Sequence, residues 1–185
     1  MTAAAMKNAN TKEIATTLEA AQIKSWLSGA FSPIQIMDTQ KLSKAGAGLF
    51  DSPQFATWSN YLTAYNKKYP KEQLTVIEAF TKGYGEEGAI KILGSLDDGP
   101  GATKFKDEMV KAWMTDLDHP ANMFKRLKLN EAGDDLLTSS LLSIWTRYMK
   151  AFNEQNPFAE TTMIQTLTKS YGDEKLATII QAGTK

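Results

Sequence analysis

The chain repeats itself at a fixed offset of 87 residues, without a gap. Trp26 falls on Trp113, Trp58 on Trp145, Tyr61 on Tyr148 and Tyr84 on Tyr171. Laying 23–93 over 110–180 gives 22 identities in 71 positions, and many remaining pairs are conservative, such as Tyr65/Phe152 and Phe80/Leu167. Self-similarity at one period marks a repeated structural unit. The 185 residues are therefore expected to form two units of about 80 residues each. Their expected bounds are a short lead over 1–10, a first unit over 11–96 and a second over 101–183. Asp97-Asp98-Gly99-Pro100-Gly101 is the strong breaker between them. It is too short for a free linker, so the units are expected to be packed end to end.

Apolar spacing is helical throughout, with no sustained alternation of period two, so an all-α fold with about five helices per unit is predicted. Ile14, Leu18, Ile23 and Trp26 or Leu27 define the first helix, with Asn10 placed to cap it and Glu13 at its third position. Ser32-Pro33 and Ser52-Pro53 each read as a cap followed by proline in the first turn. Phe55, Trp58, Tyr61 or Leu62, and Tyr65 mark a helix ending before Pro70. Leu74, Ile77, Phe80 and Tyr84 mark the next, closed near Gly83 and Gly85. Ala89 to Leu93 forms a short last helix. The second unit replays this from Phe105, Met109 and Trp113 to Leu176, Ile179 and Ile180.

Charge excludes several functions. Residues 1–97 hold 10 basic and 9 acidic groups, and residues 98–185 hold 11 and 12. With no basic stripe, a nucleic-acid surface is not expected. No apolar run approaches a membrane span. The absence of cysteine removes disulfides, Cys-ligated zinc and thiol chemistry. His119 is the one histidine and reads as a turn residue before Pro120, not a catalytic base. Glu86-Glu87 and Asp173-Glu174 sit where a helix N-terminus welcomes negative charge. No cofactor or metal site is expected, and no catalytic residue is assigned.

Trp58-x-x-Tyr61, Asn66 and Tyr84-Gly85-x-Glu87, with their copies Trp145-x-x-Tyr148, Asn153 and Tyr171-Gly172-Asp173-Glu174, resemble the WY module of oomycete RXLR effectors. The module is named for a Trp and a Tyr on successive helices, and here both pairs lie 26 residues apart. Met37-x-x-x-Lys41-Leu42 and Phe124-Lys125-Arg126-Leu127-Lys128-Leu129 resemble the added L element of tandem LWY members. The first (Ile34, Met37, Leu42) is a looser match than the second (Met123, Phe124, Leu127, Leu129). The resemblance spans residues 11–182. It implies two WY/LWY-type bundles and a secreted pathogen effector that enters plant cells and binds a host protein without catalysis. No Arg-x-Leu-Arg occurs, so export is implied by the family and not by a residue of this chain. Tandem LWY members also suggest a partner, the scaffold subunit of host protein phosphatase 2A. The competing reading is an all-α structural repeat protein or a small enzyme with a hidden pocket, unrelated to virulence.

Trp58, Tyr61, Tyr84, Trp145, Tyr148 and Tyr171 lie on helical stripes and are expected in the cores, where facing Trp and Tyr rings staple each bundle. Trp26, Trp113, Leu93 and Phe105 are candidates for packing between the units. Lys125, Arg126 and Lys128 form the densest basic cluster and are the candidate partner-binding residues. Phe31-Ser-Pro-Ile34 and Phe124-Lys-Arg-Leu127 match the loose pattern of autophagy-receptor peptides, but both are expected to be locked in ordered structure.

Overall fold

The computed structural model describes residues 12–183. The short lead and the Asn10 cap lie outside them. All regular structure among the described residues is helical. Contacts divide the chain into two compact units between Thr103 and Lys104. The first holds α1 (Lys12–Ser28), α2 (Pro33–Thr39), α3 (Pro53–Lys68) and α4 (Val76–Ser95). Two 3-10 turns, Leu42–Lys44 and Gly46–Asp51, join α2 to α3. Gly85 breaks α4 into two rods, which brings the first unit to five. The division falls inside α5 (Pro100–Trp113), three residues beyond the helix's first proline and past the Asp97–Gly101 breaker. The second unit continues with α6 (Pro120–Arg126), turns at Leu129–Glu131 and Gly133–Thr138, α7 (Ser140–Gln155), α8 (Met163–Tyr171) and α9 (Asp173–Ala182).

Local chemistry fixes the helix starts. Ser32 accepts from Gln35 N–H while the Gln35 side chain accepts from Ser32 N–H, and Pro33 holds the first turn of α2. Ser52 caps α3 through Phe55 N–H at 3.1 Å. Thr75 with Glu78, and Thr162 with Gln165, form the same reciprocal box at α4 and α8. In α6 the cap is His119, whose Nδ1 accepts from Ala121 N–H at 3.2 Å.

The units match bond by bond. Trp58 Nε1 donates to Pro33 O, and Trp145 Nε1 donates to Pro120 O, each at 2.8 Å. Tyr61 Oη donates to Phe31 O at 2.5 Å, and Tyr148 Oη to Asp118 O at 2.6 Å. Asn66 clasps the backbone of Leu74 from both sides, at 2.8 and 3.0 Å, and Asn153 clasps Thr161 at 2.8 and 3.1 Å. Even the left-handed residues recur, Ala30 with Leu117 and Lys41 with Lys128. A polar group buried without a partner is costly, so Trp58, Tyr61, Trp145 and Tyr148 each carry their polar atom to a carbonyl of the preceding segment.

Trp58, Tyr61, Trp145 and Tyr148 are fully enclosed. Tyr84 and Tyr171 are only half-buried. Nor do Trp and Tyr face each other, because a phenylalanine stands between them. In the first unit it is Phe80 of α4, 5.6 Å from Trp58 and 5.7 Å from Tyr84. In the second it is Phe124 of α6, 5.1 Å from Trp145 and 6.4 Å from Tyr171. At the repeat-equivalent positions stand Leu167 and Met37, both buried. Met-plus-Phe in one unit becomes Phe-plus-Leu in the other, a nearly volume-conserving exchange of the kind that cores tolerate.

The first helix differs from the sequence reading. Ile14 and Leu18 are 62% and 53% exposed, whereas Ala15, Glu19 and Trp26 are buried and Ile23 is half-buried. The helix is phased by two anchors: Trp26 packs edge-on to Tyr61 at 5.3 Å, and Glu19 accepts from Asn60 Nδ2 at 3.2 Å. Ile14 and Leu18 fall one position off that stripe. Trp26 is therefore part of the first unit's own core.

Burial governs the phenols. It pushes Tyr61 up to about 12, with Tyr65 and Tyr69 adding to the rise, and it also raises Tyr148 and Tyr171. A raised phenol favours the neutral folded form, so its contribution is fully present below pH ~10, the unfolded value. It is lost as pH rises toward the folded value, about 12 for Tyr61. The melting temperature is expected to hold level from pH 7 to 9 and to fall steeply above pH ~10. A melting temperature unchanged between pH 10 and 11.5 would contradict this placement of the phenols.

Candidate partner-binding surface

Lys125, Arg126 and Lys128 alternate with buried anchors. Phe124, Leu127 and Leu129 are each 1% exposed or less and pin the α6 end to the core. Lys125 and Lys128 are consequently turned to solvent, while Arg126 is half-buried. Lys128 takes a left-handed backbone, with φ 56°, between two enclosed leucines. Arg126 reaches Asp116 at 3.9 Å, a partly exposed pair worth at most a modest stabilisation. The three residues share one short segment and form a basic edge.

The first unit has no such edge. Asp38, Thr39 and Lys41 stand where Lys125, Arg126 and Lys128 stand, although Leu42 and Leu129 are the same anchor. Core positions have kept their chemistry across the repeat, whereas on the surface between them acidic Asp38 gives way to Lys125 and neutral Thr39 to Arg126, with Lys41 and Lys128 alike. Such divergence is expected where the inside is set by packing and the outside by recognition.

Other sequence candidates are placed elsewhere. Leu93, Phe105 and Trp113 are buried, at 0%, 2% and 5% exposure. Phe124 and Leu127 are enclosed, so the second receptor-like tetrapeptide offers no side chains to a partner. The backbone of Phe31 in the first is taken by Tyr61. His119 is exposed and acts as the α6 cap, with its ring edge-on to Phe152 at 5.7 Å. Sequence spacing missed that role because histidine is seldom a cap; its alignment with Ser32 was the available signal. Among the described residues, no group of three His, Cys, Asp or Glu could hold a metal ion, and no helix is long and apolar enough to cross a membrane.

The half-buried tyrosines Tyr84 and Tyr171 differ between the cores. Tyr171 Oη donates to Leu129 O, whereas Tyr84 Oη closes no hydrogen bond. Burial raises the Tyr84 phenol, and nearby Ser43 offsets this in part. Tyr171→Phe is expected to cost about 0.5–1.5 kcal/mol in urea denaturation and Tyr84→Phe less than about 0.5, since only the former breaks a bond. Equal losses in the two variants would show that the Tyr84 hydroxyl is bonded after all.

Comparison with known proteins agrees with this architecture. The family model described as the WY-domain of effector PexRD54 matches residues 21–62, which include Trp26, Trp58 and Tyr61. The chain is 36% identical over 189 aligned residues to RxLR effector protein PSR2 of Phytophthora sojae, covering 100% of this chain and 28% of that protein. It is 35% identical to RxLR effector protein PSR2 of Phytophthora infestans, covering 98% of this chain and 25% of that one. The crystal structure of PcRxLR12 superposes with a TM-score of 0.71 at 26% identity, over 98% of this chain and 45% of that one. The chain thus spans about a quarter of the length of these curated relatives. Its duplicated Trp–Tyr bundle and these matches together make this chain similar, over its whole length, to part of the WY-domain RxLR effectors of Phytophthora.

Proposed function

We propose that this chain is the binding part of a pathogen effector, secreted and carried into plant cells, where it engages a host protein and suppresses immunity without catalysing a reaction. The observation that supports this most is the similarity of this whole chain to about a quarter of the length of RxLR effectors, combined with a repeated core whose outer edge has diverged. Two like bundles in tandem offer a broad helical surface, as repeat proteins do when they grip a large partner. The partner we assign is the scaffold subunit of host protein phosphatase 2A, on the strength of the tandem LWY resemblance, with Lys125, Arg126 and Lys128 at the contact.

Purified scaffold subunit and calorimetry test this directly. The chain is expected to bind in one-to-one ratio, and Lys125→Glu with Lys128→Glu to weaken binding at least about tenfold and to make it less sensitive to salt. Both residues are exposed, so the fold should survive the change. No binding to the scaffold, with a different host protein recovered from plant tissue in stoichiometric amount, would retain the effector reading and remove this partner. Turnover of a small molecule by the chain would remove both.

A further inference from the structure

The first unit contains a recess of about 480 Å³, across whose counterpart the second unit places an ion pair. Its floor is Ile92 and the backbone of Gly88, its wall holds Ser43 and Tyr84, and its rim carries Lys44 and Lys91. In the second unit Lys175 occupies the position of Gly88 and reaches across to Asp134, which stands where the first unit has Ala47, at 3.1 Å. Glu131 and Thr178 replace the two rim lysines. The same stretch of chain therefore carries a solvent-facing ion pair in one unit and an open, cation-rimmed recess in the other. A Cβ at position 88 would lie 2.8 Å from the Cβ of Tyr84, so a side chain enters this position of the first unit only with a local shift.

The polar groups of the recess match one chemistry. Tyr84 Oη is shielded from solvent and has no acceptor, unlike Tyr171 Oη on Leu129 O. A buried hydroxyl without a partner is unfavourable, and an incoming acceptor would satisfy it. Lys44 and Lys91 are exposed and enter no ion pair among the described residues. The Ser95 hydroxyl at the far edge is already spent on Ile92 O at 2.7 Å. Asp38 is the acidic group whose charge reaches Tyr84. Two cations and one free donor above an apolar floor suit a negatively charged head on a greasy stalk.

We propose that this recess binds an anionic group carried on a short apolar stem, the form in which a phosphorylated or acidic side chain of a bound peptide presents its charge. The site is separate from the Lys125–Lys128 edge, and it stands whether or not the effector reading holds.

The test is a titration of the 15N-labelled chain with phenyl phosphate, inorganic phosphate and benzyl alcohol, followed by amide shifts. Phenyl phosphate is expected to give saturable shifts at Ser43, Lys44, Gly88 and Lys91, with a dissociation constant on the order of millimolar. The counterparts Asn130, Glu131, Lys175 and Thr178 should stay still, which makes the second unit an internal control. Lys44→Glu with Lys91→Glu should weaken binding at least about tenfold while leaving the rest of the spectrum intact. Ala47→Asp, which introduces the second unit's acid at an exposed position, should weaken it as well. Absence of saturation, equal shifts in both units, or indifference to the charge reversal would overturn the proposal. So would benzyl alcohol or inorganic phosphate binding as tightly as phenyl phosphate, since either result would remove the head or the stem from the recognition.

Discussion

Trp145→Ala is expected to destabilise the second unit by about 3–5 kcal/mol, enough to unfold much of it at 37 °C. The indole is fully enclosed, and its loss empties space against Phe124 at 5.1 Å. It also removes the hydrogen bond that Trp145 Nε1 donates to the Pro120 carbonyl at 2.8 Å. A unit of about 80 residues has a total stability near 4–12 kcal/mol, so one such loss is a large share. Urea denaturation followed by circular dichroism measures it. Trp58→Ala should act on the first unit to a similar extent, because Trp58 has the same exposure and the same bond to Pro33. A shift below about 1 kcal/mol in either variant would contradict the packing described here.

Gly172→Ala is expected to cost about 1–3 kcal/mol through backbone strain alone. Gly172 sits at φ 75°, ψ 164°, and Gly85 at φ 69°, ψ 172°. This is territory that is essentially closed to residues with a Cβ. No atom lies within 4 Å of where a Cβ would stand at either position, so crowding contributes nothing. Gly48 supplies the control. It too has open space, but its φ of −83° is ordinary. Gly48→Ala should change stability by no more than about 0.5 kcal/mol. If Gly172→Ala and Gly48→Ala proved equally mild, the turn that re-aims the chain from α8 into α9 would have to be softer than its geometry implies.

The duplication, the helical class and the proline-led helix starts were legible because each is written in local chemistry: a fixed period, a cap residue, a ring fixed at φ near −65°. Which face of α1 turns inward was not. Ile14 and Leu18 outweigh Ala15 and Glu19 on any hydrophobicity count, but the rotation of that helix is set by Trp26 meeting Tyr61 and by Glu19 meeting Asn60. Those partners lie on α3, beyond the reach of a periodicity argument. The same holds for the phenylalanine between each Trp and Tyr. The exchange of Phe80 for Leu167 is visible in the repeat, and so is that of Met37 for Phe124. That the two exchanges compensate each other is visible only once α2 is seen packed on α4 and α6 on α8.

The candidate surface was legible as a cluster but not as an edge. Composition shows three basic residues in a row of four. It does not show that Leu127 and Leu129 pull inward and turn Lys125 and Lys128 outward. The recess of the first unit was not legible at all. It arises from a missing side chain at Gly88 and a missing acid at Ala47, and absence carries no signal until the copy shows what could have stood there.

Hydrogen exchange of the Trp58 and Trp145 indole N–H groups is the sharpest test that each bundle is locked around its own buried indole. Each proton lies buried on a proline carbonyl at 2.8 Å, so both should exchange at least about 1,000-fold more slowly than a free indole, and each should be released only when its own unit opens. Exchange of either proton at the free-indole rate would mean that its ring is open to water and that the duplicated core is not built as described.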